Sequence, residues 1–215
     1  MRNNGLFKAK ADSGVCRVSV MSDIHSASDA VVGDMIKKNI IDKTTVVISC
    51  GDMCGGTSRL GEDDDPIETY CAIQEAAYAF YFVQGNHDAE NSRARSMRND
   101  DGTRCYVDRK IQHTVLGTIG GVSGIVSYTG IPKPEKHIYT EDVYQQRINK
   151  VLIGRPDIFL THQPEIDYDS AGYRPHIHLC GHHAEEEFMT SSKDGKSEYV
   201  RINADNRILQ FSPVI

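Results

Sequence analysis

Three apolar runs rich in β-branched or aromatic residues, Val15–Met21, Thr44–Cys50 and Ala79–Val83, alternate with stretches whose apolar positions recur at helical spacing. That alternation constrains the fold more than any other feature. Continuous apolar runs of this length suit strands covered on both faces. Between the first two runs, Val31, Val32, Met35, Ile36 and Ile40 fall on one helix face behind a Ser26–Asp29 segment that resembles a capping box. Between the second and third, Pro66 suits a first helical position and Glu68 a third, with Ile67, Tyr70, Cys71 and Ile73 as the buried face. Repeated strand-helix-strand units predict an α/β fold with a largely parallel sheet.

Further along, His113–Ile119 and Ile125–Tyr128 read as a hairpin of a second sheet. Thr140–Ile153 reads as a helix with Val143, Tyr144, Ile148, Val151 and Leu152 on one side. Asp157–Leu160 and His176–Cys180 read as strands, and Ser197–Asn203 and Arg207–Phe211 as a closing antiparallel pair. No linker or repeat divides the chain, so residues 1–215 are expected to form one domain.

Five of these strands run into groups able to hold a metal: Asp23 and His25, Asp52, Asn86 with His87, His162, and His182 with His183. Sites of open α/β sheets lie outside the carboxyl ends of the strands, so the five clusters should converge. One Gly85-Asn86-His87-Asp88 turn taken alone reads equally well as a turn bonding to itself; repetition at five strand ends favours chemistry. Carboxylate, imidazole and amide donors without thiolate suit Mn, Fe, Zn or Ni better than calcium or structural zinc.

The remaining signals are weaker. His176 and His178 read as packing or surface residues, and His113 and His137 carry no site signal. The run Glu62–Asp65 reads as a solvated face. Arg93, Arg95 and Arg98, just after Asp88, also read as a solvated helix face, with a phosphate-steering patch as the alternative.

A formal net charge of −6 gives no general attraction for a polyanion, so nucleic acid is not indicated and any phosphate site must be local or metal-based. No apolar run is long enough to span a bilayer and Met1–Gly14 lacks an apolar core, which predicts a soluble, cytoplasmic protein without a membrane partner. Six cysteines without CxxC spacing predict neither a disulfide framework nor a zinc-thiolate site; Cys50, Cys71 and Cys180 lie in apolar segments typical of buried thiols. Nothing in the sequence speaks to oligomeric state.

The ordered set Asp23-x-His25, Gly51-Asp52, Gly85-Asn86-His87-Asp88, Thr161-His162-x-Pro164 and Gly181-His182 resembles the calcineurin-like metallophosphoesterase superfamily. The resemblance implies a two-sheet β sandwich flanked by helices and two divalent ions (Mn, Fe, Zn, Ni or Mg). It implies that Asp23 and His25 hold a first ion, that Asp52 bridges both, and that Asn86, His162 and His182 complete the second. His87, oriented by Asp88, would be the general acid for metal-activated hydroxide attack on a small phosphate ester, a diester or monoester of nucleotide type. Met53-Cys54-Gly55-Gly56 and Asp88 depart from the serine/threonine phosphatase branch. Ala184 stands where the family usually has a second histidine, so the Asp23/His25 site is expected to be weak or partly empty. His183 is the nearest replacement, although one step along the turn it should point elsewhere, and Cys54 is a weaker one. The competing expectation is a phosphoesterase fold retained as a protein-binding scaffold.

Overall fold

The computed structural model describes residues 6–25, 28–54, 65–88, 91–183, 189–193, 198–205 and 207–214. Ser26, residues 55–64 and Ala184 lie outside the described residues, and with them the capping-box reading, most of the acidic run and the missing-histidine position.

In chain order the strands are β1 (Arg17–Ser22), β2 (Thr45–Ser49), β3 (Ala79–Phe82), β4 (Ile111–Thr114), β5 (Gly117–Val122), β6 (Ile125–Val126), β7 (Ile138–Tyr139), β8 (Ile158–Thr161), β9 (Ile177–Cys180), β10 (Met189–Lys193), β11 (Glu198–Asn203) and β12 (Arg207–Phe211). The helices are α1 (Ser28–Lys37), α2 (Ile67–Ala76), α3 (Ser92–Ser96), α4 (Glu141–Leu152) and α5 (Tyr168–Ala171). One sheet has the order β12-β1-β2-β3, a second β10-β11-β9-β8-β5-β4, and β6 pairs with β7 apart from both. β1, β2 and β3 are mutually parallel, as are β5, β8, β9 and β11.

The strands alternate between two apolar destinations, which is why they read as continuous apolar runs. Val18, Val20, Val46, Ile48 and Tyr81 face Ile119, Ile158, Leu160, Leu179 and Ile202 in a core between the two sheets. Met21, Val47, Phe80 and Phe82 face outward onto Val32, Met35, Tyr70 and Ile73 of α1 and α2. On the far side, Val122 and Phe159 pack against Tyr144, Ile148 and Leu152 of α4. The result is the expected β sandwich flanked by helices. Burying one large apolar side chain stabilises by about 1.5–3 kcal/mol, so these three layers fix the strand ends from which the site is built.

Several local expectations are corrected. The hairpin of the second sheet is β4 with β5, turning at Val115-Leu116, while 125–126 pairs with β7. Strands β11 and β12 do not pair: β11 joins β9 and β10, and β12 crosses to the other sheet beside β1. β12 carries Phe211 into the inter-sheet core, a burial that a hairpin with β11 would forgo. Pro66 sits at the N-cap of α2, one position before the helix. Val143 stands on the outer side of α4, 42% exposed. None of the six cysteines is in a disulfide, and among the described residues no helix is long and apolar enough to cross a membrane.

His178 proves to be fully buried, its ring between Phe159 and Tyr168 and its Nε2 2.7 Å from the Thr161 hydroxyl. Burial lowers its pKa to about 3, and that of buried His137 to about 4. Both values lie below the ~6.5 of an exposed histidine, so the unfolded chain binds protons that the fold refuses. Stability is therefore full above about pH 6.5 and falls as the pH drops toward 4, by about 1.4 kcal/mol per pH unit for each ring. Urea midpoints at pH 7 and pH 5 measure this; equal midpoints would mean that neither ring is excluded from solvent.

Candidate metal centre

The parallel strands place their C-terminal ends at one edge of the sandwich, with β1, β2 and β3 on one side and β8 and β9 on the other. Each chain segment must turn sharply there. Of the nine non-glycine residues at positive φ among the described residues, four are Asp23 (57°), His25 (52°), Asp52 (50°) and His182 (73°). Left-handed backbone costs an L residue roughly 1–2 kcal/mol, least for short polar side chains, and such strain collects at functional sites.

Backbone amides lock these turns together. Asp23 N donates to the Gly51 carbonyl at 3.0 Å and His25 N to the Asp52 carbonyl at 3.1 Å. His182 N donates to Asp23 Oδ2 at 3.0 Å and His87 N to Asp52 Oδ1 at 2.8 Å. A Cβ on Gly85 would lie 2.0 Å from Asp52 Oδ1, and one on Gly181 2.0 Å from Ser22 Oγ and 2.3 Å from Asp23 Oδ2. Only glycine lets the turns approach the two carboxylates this closely.

Asp23, Asp52, His162 and His182 each present one ligand atom, all within 4.8 Å of one another. His162 is wholly buried, and its Nδ1 lies 2.9 Å from the Cys50 carbonyl oxygen, bridging the two sheets. A carbonyl oxygen can only accept, so Nδ1 carries the hydrogen and, in the neutral ring, Nε2 is a lone pair. That lone pair lies 3.1 Å from Asp52 Oδ2 and 3.9 Å from Asp23 Oδ1, yet makes no hydrogen bond. Three acceptors converging in a buried space require a cation, either a proton on Nε2 or a metal ion. With the proton, burial opposes both charges, but their attraction outweighs it, holding Asp52 below the usual carboxylate range and His162 above the usual imidazole range. Burial, helped by the charge of His162, lowers His182 to about 3 and keeps its ring an uncharged donor.

His25 and Asn86 border this group. His25 Nδ1 and Asn86 Oδ1 are buried without a hydrogen-bond partner, as metal-ligand atoms would be. His87 stands outside the four-residue group, half-buried, its ring edge-on to His25 with centroids 5.4 Å apart. His183 Nε2 lies 3.0 Å from the Tyr128 hydroxyl and 3.7 Å from Glu165 Oε1. Neither His183 nor Cys54 joins the group. Tyr128, 69% exposed, also reaches His182 Nε2 at 2.7 Å. It carried no site signal in the sequence, standing at the end of the Ile125–Tyr128 segment read as a strand.

The expected orientation of His87 by Asp88 is corrected. One Asp88 oxygen accepts from Asp52 N and Gly85 N, both at 2.9 Å, and the other from Met53 N at 2.9 Å and Cys54 N at 3.2 Å. Four buried donors below the turn satisfy the carboxylate better than one imidazole above it. Asp88 is thus a clamp between the turn of Asp52 and the turn of Asn86 and His87. Asp88→Ala leaves those donors unpaired and should destabilise the fold by at least about 3 kcal/mol. Denaturant unfolding checks this; a loss below about 1 kcal/mol, roughly one ordinary hydrogen bond, would show that water replaces the clamp.

A family model described as calcineurin-like phosphoesterase matches residues 16–194. The chain belongs to this family. A search of curated proteins found no match. Among solved structures, TT1561 of Thermus thermophilus is similar over 92% of this chain and 99% of its own, at 14% identity and a TM-score of 0.61. A second is similar over 87% and 89%, at 12% identity and a TM-score of 0.53. These likenesses extend to the fold. Calcineurin-like phosphoesterases typically bind divalent metals, and the buried Asp/His group supplies fitting donors.

Proposed function

We propose that this calcineurin-like phosphoesterase hydrolyses small phosphate esters, diesters or nucleotide-type monoesters, at a centre of two divalent ions drawn from Mn, Fe, Zn, Ni or Mg. The observation that carries the reading is His162 Nε2, buried without a hydrogen-bond partner and 3.1 Å and 3.9 Å from the carboxylates of Asp52 and Asp23. The unpartnered His25 Nδ1 and Asn86 Oδ1 extend the donor set beyond one ion. In this reading Asp23 and His25 serve one ion, Asn86, His162 and His182 the other, and Asp52 both. When bound, such ions hold phosphate oxygens, offset their charge and lower the pKa of water.

The chain's own residues do the rest. The Cys50 carbonyl fixes the His162 tautomer, which keeps Nε2 available as a ligand. Asp52 Oδ1 accepts from the His87 backbone N–H, and in this reading the His87 side chain, outside the donor group, gives a proton to the leaving oxygen. The test is hydrolysis of bis(p-nitrophenyl) phosphate and p-nitrophenyl phosphate with Mn, Ni, Mg and Zn, against a chelator control. Metal-dependent turnover of either ester is expected. Bound metal with no turnover of either would favour the scaffold reading instead.

A further inference from the structure

A second concave site lies on the flank of the sandwich, between α3, the loop before β4 and α4. Its volume is about 610 Å³, within the range of small-molecule sites. Arg95, Arg109, Lys110, Arg147 and Lys150 line it, against one carboxylate, Asp108. In a chain of net charge −6 this is a local reversal of sign. The carboxylate is already engaged: Asp108 Oδ2 pairs with Arg109 Nε at 3.1 Å and Oδ1 accepts from Ser123 N at 2.8 Å. Lys110 and Lys150 have no carboxylate within ion-pair distance among the described residues.

The sequence builds this face. Along α4, Val143, Gln146, Arg147 and Lys150 recur at helical spacing opposite the buried Tyr144, Ile148 and Val151. Arg147 is pre-ordered, its guanidinium 3.7 Å from the centroid of the Tyr139 ring. Tyr106 and Val143 add an apolar wall. Burial and the charges of Arg104, Arg109 and Arg95 lower the pKa of Lys110, as expected where positive charge is crowded. The Tyr106 hydroxyl is 3.1 Å from Ser123 Oγ, which accepts from Gln84 N at 3.0 Å, one residue before the turn of Gly85, Asn86 and His87. Two hydrogen bonds thus link the cavity wall to the end of β3, and the cavity shares no proposed ligand.

We infer that this cavity binds a compact anion carrying two or more phosphate groups. Guanidinium forks and ammonium groups on several sides match such a ligand, whereas a single phosphate could satisfy only part of them.

Calorimetric titration of the full chain with tripolyphosphate, in chelator so that no metal holds the anion, tests this directly. One equivalent is expected to bind, less tightly as salt is raised. Lys110→Gln/Lys150→Gln, which removes two amines outside ion pairs, should weaken binding roughly 10- to 100-fold, at about tenfold per charged contact. Arg147→Gln should weaken it separately, while Asp52→Asn leaves it within about twofold. Absence of binding would overturn the inference. So would binding unchanged in both cavity variants, or binding lost with Asp52→Asn, which would put the anion at the metal centre. Binding of single-stranded DNA but not of tripolyphosphate would overturn it in favour of a nucleic-acid surface.

Discussion

Asp52→Asn is expected to empty the centre and to end metal-dependent hydrolysis. Asp52 meets His162 Nε2 at 3.1 Å through Oδ2 and takes the His87 amide through Oδ1, so one side chain joins the turn of β2, the turn after β3 and the end of β8. Asparagine keeps the shape but removes the negative charge and turns one oxygen into a donor, which faces either His87 N–H or any cation between Asp52 and His162. Removing one partner of a buried charge pair costs about 3–5 kcal/mol, which is on the order of 10²- to 10⁴-fold in metal affinity. Metal content after dialysis and the rate with added Mn measure the two losses. A variant that kept two ions per chain at ordinary affinity would remove Asp52 from the bridging position.

His87→Ala should act on chemistry and leave metal content nearly unchanged. The ring lies outside the group of Asp23, Asp52, His162 and His182, so its removal takes away no donor of that group. Loss of a positioned proton donor typically costs on the order of 10²- to 10⁴-fold for an alkoxide leaving group, and much less for p-nitrophenolate, which departs readily as an anion. The ratio of the two rates in variant and parent is the decisive quantity. Equal losses on both esters would assign His87 to ground-state positioning; loss of metal would make it a ligand.

The parallel strands and their polar ends were legible because both faces of each strand are apolar and the functional groups follow at once in the chain. Val18–Met21 and Val46–Ser49 needed no knowledge of their partners to be recognised. Pairings that depend on distant residues were not legible. Whether Arg207–Phe211 joins Glu198–Asn203 or Arg17–Ser22 is decided by burial of Phe211 between the sheets, and both segments look alike as isolated strands. The direction of Asp88 was hidden for a related reason: the motif places the residue, but the amides of Asp52, Met53 and Cys54, more than thirty positions away, decide where its carboxylate points. The basic cavity was only half visible. Arg95 stood out near His87, while Arg109, Arg147 and Lys150 come from segments that the fold alone brings together.

The crossing of β12 to β1 also sets an order of events during synthesis. Every proposed ligand lies between Asp23 and His182, so a ribosome has delivered the whole metal centre before β12 is made. Until Arg207–Phe211 emerges, β1, which carries Asp23 and His25 at its end, is an edge with exposed hydrogen-bonding groups, open to pairing with another chain. That closing contact joins residues far apart in sequence, among the slowest kinds to form. In the finished fold this chemically plain strand covers that edge.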